Sequence, residues 1–153
     1  MDLMQQIDSN FLPWLKTAIP LTDHMGIKSL QWQEKALVAE LELASLVNDK
    51  GTGFGGGVAG LATLLGWCYV TLLLDATSQR CPVVVKESSN RFTAPLTEDF
   101  EMLCWCEEEG QPQRFLESYA EKGRSSIQLH IEARQQGRIA FTYQGTYVAL
   151  GKS

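Results

Sequence analysis

The sequence has few cysteines, four in 153 residues. They are Cys68, Cys81, Cys104 and Cys106. On a strand, Cys104 and Cys106 would point to the same face, so they cannot bridge each other within one extended segment. The two histidines, His24 and His130, do not complete a zinc site at any familiar spacing. We therefore expect reduced thiols that fill apolar space, and no metal site.

Basic residues are also few and scattered. The 13 lysines and arginines against 18 acidic residues give a formal net charge of -5. Neither nucleic acid nor an anionic membrane is therefore an expected partner. The start, residues 1–6, has no basic charge and leads into no apolar run with a small-residue cleavage site. This predicts a cytoplasmic protein rather than a secreted one.

Charge is absent from the middle of the chain. No charged residue occurs from Gly51 to Leu74, and residues 58–74 are apolar on every side of a helical wheel. A helix of this kind must be surrounded, either by lipid or by its own protein. Glycines dilute its apolarity and no basic cluster flanks it, so we predict a core helix rather than a membrane span.

The flanking segments alternate apolar and polar residues, which predicts half-buried strands. The predicted strands cover residues 26–32, 36–45, 81–92, 100–106, 127–133 and 139–148, with a turn at 33–35 and a bulge at Gly145. A spacing of three to four predicts helices over 2–18, kinked or divided in two at Pro13, and over 112–122. His130 falls on a polar face and is predicted to be solvated.

The order of these elements predicts an α+β fold. An antiparallel sheet of five to six strands would curve around the long apolar helix and bury all its sides. We expect one domain over residues 1–153, with residues 1–19 as an N-terminal helical segment.

Several short segments resemble the hotdog superfamily. They are Pro20-Leu21, Met25-Gly26-Ile27, the run Asn48-Asp49-Lys50-Gly51-Thr52-Gly53-Phe54-Gly55-Gly56, Arg91-Phe92 and Pro95-Leu96. More narrowly, the chain from about residue 20 to its end is similar to the thioesterases named for the C-terminal domain of YiiD. The resemblance implies a hotdog fold and an activity on acyl thioesters.

The glycine-rich loop has a chemical interpretation of its own. Backbone N–H groups at the start of a helix have no intrahelical partner and face whatever lies ahead of them. Donors aimed at a thioester carbonyl would stabilise the oxyanion formed during hydrolysis. We predict that Gly55 and Gly56 supply them. The alternative is that these glycines only let the helix and the sheet pack closely.

The catalytic base has to be sought outside the positions used by related thioesterases. Related hotdog thioesterases often carry His-Gly-Gly where this chain has Phe54-Gly55-Gly56, and an acid nine positions after that His, where this chain has Thr63. A threonine can hold a water but cannot act as a base at neutral pH. Asp49 is the candidate substitute, and Asn48 beside it could bind the water or the carboxylate. Ordinary turn chemistry accounts for both residues equally well.

The resemblance also implies the partners. In this superfamily two chains pair so that their sheets join, which implies a homodimer or homotetramer with sites built from both subunits. Ser88, Asn90 and Arg91 would line the seam, with Arg91 as the candidate contact for a phosphate or pantetheine group. Alternatively they only tie two strands together across the interface.

The expected substrate is an acyl-CoA or an acyl-carrier protein, with coenzyme A only as part of the substrate and no other cofactor. The acyl chain is expected along the apolar helix near Leu61, Leu64 and Leu65, with Phe54 and Gly57 also in contact with substrate. A second possibility is a module that binds acyl thioesters without turnover, because the usual helix acid is missing.

Overall fold

The computed structural model describes residues 2–151. Its helices are α1 (Phe11–Ala18), α2 (Gly55–Ala76) and α3 (Gln111–Lys122), and its strands are β1 (Ile27–Gln33), β2 (Ala36–Leu41), β3 (Val83–Phe92), β4 (Phe100–Trp105), β5 (Arg124–Gln135) and β6 (Arg138–Leu150). The six strands form one antiparallel sheet in the order β1-β2-β4-β5-β6-β3. The predicted α+β fold is confirmed.

The sheet encloses α2, as the lack of charge predicted. In β4, Phe100, Met102 and Cys104 are buried and alternate with residues that are partly exposed. Helix α2 is long and apolar enough to cross a membrane, but 72% of its most apolar window is buried inside the fold. This burial favours the interpretation as a core helix over a membrane span.

Helix α1 and strand β2 are shorter than the sequence predicts. Helix α1 begins at Phe11 rather than near residue 2. Pro13 therefore lies in the first helical turn, where its missing N–H breaks no intrahelical hydrogen bond and causes no kink. Strand β2 ends at Leu41, because a 3₁₀ turn over Leu43–Leu46 replaces the last residues of the predicted strand. The predicted bulge at Gly145 was wrong: β6 runs from Arg138 to Leu150, and Gly145 pairs in register with Ser88 and Leu129.

Strand β3 is one edge of the sheet. It pairs with β6 along one side only, and within residues 2–151 no strand pairs with its other side. Only Val83 of its ten residues is buried. An edge strand of this length with free N–H and C=O groups is a template for pairing with another chain.

Candidate active site

The loop that precedes α2 is held together by the side chain of Asn48. Its Oδ1 accepts hydrogen bonds from the backbone N–H groups of Lys50, at 2.8 Å, and Thr52, at 3.1 Å. Its Nδ2 donates to Oγ1 of Thr52 at 3.0 Å. Val47 and Gly53 form an antiparallel bridge at the base of this loop. The Asn48 amide thus has the turn role that was one of its two sequence-based interpretations.

Helix α2 starts in a fixed position. The N–H of Phe54 donates to the carbonyl oxygen of Leu46 at 2.6 Å, and the carbonyl oxygen of Phe54 accepts the N–H of Val58 at 2.9 Å. The N–H of Gly53 donates to the carbonyl oxygen of Leu96 at 2.8 Å, which ties the loop to the segment before β4. The two residues that precede the helix, Gly53 and Phe54, are therefore held by hydrogen bonds to two different segments.

The next three N–H groups are free. Those of Gly55, Gly56 and Gly57 make no hydrogen bond to any atom in residues 2–151. They are the unpaired donors of a 22-residue helix, and the helix dipole adds partial positive charge at the same place. The arrangement suits a carbonyl oxygen on which negative charge develops.

Two phenylalanine rings flank this helix start. The side chains of Phe54 and Phe92 are 55% and 52% exposed. A Cβ added to Gly56 would lie 2.9 Å from the Phe54 ring, and one added to Gly55 would lie 3.4 Å from the Phe92 ring. A side chain at position 56 would therefore displace the Phe54 ring from its present position, so the packing interpretation of the glycines also has a geometric basis here.

A cleft of about 410 Å³ opens beside Gly55. Its walls include Thr52, Val58, Phe92, Pro95 and Leu96. Among the described residues that line it there is no acid, base, histidine or cysteine. Within one chain the cleft can hold a carbonyl group and apolar atoms, but it supplies no group that accepts a proton at neutral pH.

The two predicted partners of the helix start lie elsewhere. Asp49 is exposed, and its carboxylate makes no hydrogen bond or ion pair to residues 2–151. Thr63 lies eight residues beyond Gly55, about 12 Å along the helix. Its hydroxyl donates to the carbonyl oxygen of Ala59 at 3.0 Å. Neither residue lines the cleft beside Gly55.

The predicted substrate contacts on β3 divide between the two faces of the sheet. Ser88 and Asn90 pair with Gly145 and Tyr143 of β6, so they lie on the face that carries α2. Arg91 pairs with Thr142 and lies on the opposite face. All three β3 residues are exposed. Leu61, by contrast, is 1% exposed and lies inside the core.

A second titratable cluster lies on the outer face of the sheet, and the prediction of a solvated His130 was wrong. The His130 side chain is only 15% exposed, and its Nε2 lies 2.9 Å from Oε2 of Glu132. Arg134 donates two hydrogen bonds to the other oxygen of Glu132, at 3.0 and 2.7 Å. Burial raises the pKa of Glu132, but the hydrogen bonds from His130 and Arg134 outweigh it and lower that pKa overall.

This cluster borders a groove of about 400 Å³ that is distinct from the cleft beside Gly55. Nδ1 of His130 is 3.3 Å from Oε1 of Glu107, at an angle that makes no hydrogen bond. The i, i+2, i+4 spacing of His130, Glu132 and Arg134 was a usable signal, since it places all three on one face of a strand. Only the tertiary structure shows that the three side chains contact one another.

A long helix enclosed by a curved antiparallel sheet, with a glycine-rich start left open, is the hotdog arrangement, and solved structures confirm it. A protein of unknown function from Chlorobaculum tepidum TLS superimposes with a TM-score of 0.81 at 21% identity, over 92% of this chain and 91% of that one. A structure described as a "putative thioesterase" from Shewanella oneidensis gives 0.77 at 22% identity, over 92% and 96%. A mutant thioesterase from Pseudomonas aeruginosa gives 0.76 at 16% identity, over 99% and 100%.

The family follows from the sequence rather than from these superpositions. A family model described as "Putative thioesterase (yiiD_Cterm)" matches residues 9–151. The chain belongs to this family. The resemblance inferred from the glycine-rich loop and its companion segments is thereby confirmed.

Proposed function

We propose that the chain hydrolyses an acyl thioester of coenzyme A or of an acyl-carrier protein. The observation that carries the proposal is the set of three unpaired N–H groups at Gly55, Gly56 and Gly57, at the start of a long buried helix and beside an open cleft. Membership of the thioesterase family supports the choice of a thioester as the reacting group.

In the proposed reaction the thioester carbonyl oxygen binds to these N–H groups. The oxygen of a water adds to the carbonyl carbon while a base takes one of its protons, and the oxyanion of the tetrahedral intermediate gains hydrogen bonds from the helix start. The C–S bond then breaks, the carboxylic acid forms, and the thiolate takes up a proton. Donors that are fixed before the reaction need no reorganisation when the charge develops.

The base in this proposal is Asp49. Because Asp49 lies outside the cleft of its own chain, the proposal includes a homodimer in which a second copy completes the site. Strand β3 supports such pairing, since its outer edge is open and carries the exposed apolar residues Val84, Val85 and Phe92. Ser88 and Asn90 would then lie at the seam on the α2 side.

The N–H donors can be tested with two substitutions at one position. Gly55→Pro removes the N–H at the first helical residue, where proline is compatible with a helix. Phe54 before it already has φ -74 and ψ 122, a conformation that a following proline accepts. Gly55→Ala adds a side chain but keeps the N–H. In a thiol-release assay we expect Gly55→Pro to lose about 10²-fold or more in kcat while Gly55→Ala stays near wild type.

The base is tested in the same assay, over a panel of saturated, branched and aromatic acyl-CoAs. Asp49→Asn should abolish turnover and keep binding. Asp23→Asn, a change at another exposed aspartate, is the matched control and should leave the rate unchanged. Turnover that survives Asp49→Asn on every substrate would exclude Asp49 as the base.

One observation favours a second candidate, an acyl-thioester binding module without turnover. The cleft beside Gly55 has no proton acceptor among the described residues that line it. This candidate predicts that titration calorimetry detects binding of an acyl-CoA while the thiol-release assay shows no product on any substrate. The hydrolase proposal predicts both binding and product.

A further inference from the structure

One face of α2 leads from the free N–H groups into the core. Gly57 and Leu61 are four residues apart, as are Gly60 and Leu64, and Leu64 and Cys68, so these residues share one face of the helix. Two of its first positions are glycine, so no side chain of α2 itself stands between the helix start and Leu61. Leu61 lies six residues after Gly55, about 9 Å along the helix axis.

Flexible side chains from other elements cover the two glycines. The Cδ2 atom of Leu46 would lie 3.2 Å from a Cβ built on Gly57, and the terminal methyl of Met25 would lie 3.6 Å from one built on Gly60. Both side chains are buried. A thioether end of this kind changes rotamer at low cost, so Met25 can give way to another apolar group.

The face ends in an internal apolar cavity. It lies between α2 and the sheet, with walls from Ile27, Ala39, Leu61, Leu64 and Met102 and no polar surface. Its volume is about 10 Å³, the space of about one water, and an apolar site of that size stays dry. An apolar chain that enters along the face therefore has little free room beyond Leu61 unless a wall residue moves.

Leu15 of α1 closes this cavity and is fully buried. Contacts of Trp14 and Thr22, on either side of Leu15 in the sequence, hold α1 in place. The Trp14 ring stacks on Trp67 of α2 at 6.2 Å and carries the Arg80 guanidinium 4.3 Å from its centre. Oγ1 of Thr22, which has one proton to donate, lies 2.8 Å from the carbonyl oxygen of Ile19 and 3.2 Å from that of Leu15. Leu15 is therefore a fixed wall, whereas Met25 is a displaceable one.

From these contacts we infer that Leu15 sets the length of acyl chain that the protein accepts. The inference rests on the proposed function. The carbonyl oxygen binds at the tip of α2. From there the acyl chain runs over Gly57 and Gly60, on the side of the helix away from the cleft beside Gly55, displaces the ends of Leu46 and Met25, and stops at Leu15. The substrate class is accordingly short to medium straight-chain acyl thioesters rather than long-chain ones.

The test measures kcat/KM for straight-chain acyl-CoAs from acetyl to palmitoyl. For wild type we expect a rise of about fourfold for each methylene that becomes buried, and then a fall once the chain reaches Leu15. Leu15→Ala should move the maximum of kcat/KM to longer chains. For the acyl-CoAs just longer than the best wild-type substrate, it should raise kcat/KM about tenfold or more. Gly60→Ala should move the maximum to shorter chains, because its methyl group takes the space of the chain.

Leu74→Ala is the matched control, since Leu74 is equally buried in α2 and does not line the cavity. It should destabilise the fold like Leu15→Ala but leave the position of the maximum unchanged. With an active wild type, an unchanged chain-length profile in Leu15→Ala would overturn the inference while the hydrolase proposal stands.

A wild type that releases no thiol would instead count against the hydrolase proposal. The dependence of binding affinity on chain length is then measured by calorimetry with non-hydrolysable S-alkyl-CoA thioethers. The inference predicts that Leu15→Ala extends the longest alkyl chain that binds. Failure of this shift, or no binding of any thioether, overturns the inference as well.

Discussion

The hydroxyl of Tyr147, in β6, lies 2.7 Å from the backbone carbonyl oxygen of Thr63, in the middle of α2. A carbonyl only accepts, so the Tyr147 hydroxyl donates here, and the Tyr143 hydroxyl at 3.0 Å must donate to the Tyr147 oxygen. The two rings fit because Gly145 stands between them: a Cβ at that position would lie 2.8 Å from Tyr143. This chain of hydrogen bonds fixes α2 against the sheet at the turn that carries Thr63.

Replacement of Tyr147 by phenylalanine should therefore destabilise the protein. The change removes two buried hydrogen bonds and leaves the Tyr143 hydroxyl without its partner, which costs about 1–3 kcal/mol. Urea unfolding should show a lower midpoint with an unchanged slope. Tyr143→Phe keeps the bond from Tyr147 to Thr63 and should cost less, so an equal or larger loss in Tyr143→Phe would contradict this account.

Two glycines of α2 should respond oppositely to alanine. A Cβ at Gly66 would overlap the hydroxyl and ring of Tyr147, whereas one at Gly60 meets only the Met25 methyl at 3.6 Å. Gly60→Ala should gain about 0.5–1 kcal/mol from helix propensity. Gly66→Ala should lose about 1–3 kcal/mol, because overpacking outweighs the same gain. Thermal unfolding of the two variants measures the contrast, and a stabilised Gly66→Ala would show that Tyr147 is not held against α2.

Asp99 should contribute a pH-dependent part of the stability. The N–H of Leu43, at 2.9 Å, and then the Lys28 ammonium, at 3.3 Å, lower the pKa of its carboxyl. Because the folded pKa lies below the unfolded value of about 3.9, this contribution is fully present above the unfolded pKa. It is lost as the pH falls through the folded pKa.

The corresponding measurement is the free energy of unfolding as a function of pH below about pH 5 for wild type and Asp99→Asn. Wild type should lose more stability across this window than the variant, which has no carboxyl to protonate at that position. Parallel curves for the two proteins would show that the ion pair and the backbone hydrogen bond contribute nothing. A titration of the Asp99 carboxyl carbon by NMR checks the lowered pKa directly.

The cysteines should react with alkylating reagents in a defined order. All four are free thiols. Burial raises the pKa of Cys106 to about 11 and raises those of Cys68 and Cys104 as well. Since the thiolate is the reactive form, the partly exposed Cys81 should label first and the buried Cys68 and Cys104 only on unfolding.

Mass spectrometry of peptides after timed iodoacetamide treatment gives the order, with denatured protein as the control in which all four react. Early labelling of Cys104 would contradict the burial of β4.

Patterns along the chain were sufficient to identify the fold. The uncharged stretch from Gly51 to Leu74 predicts a surrounded helix, and the alternation in β4 and β5 shows which face of each strand is apolar. Both are local properties, since they depend only on which neighbouring side chains avoid water. The glycines at 55–57 likewise mark the helix start from the sequence alone, and the structure shows their N–H groups unpaired.

Other features depend on which distant segments meet, and only the tertiary structure decided them. Helix α1 begins at Phe11, although the apolar spacing continues back to Leu3. The position of Asp49 outside the cleft and the burial of His130 depend on loop path and strand register. The bond from Tyr147 to Thr63 spans 84 positions of sequence. Local patterns record which residues avoid water, whereas the contacts of polar groups are set by the long-range pairing that satisfies them.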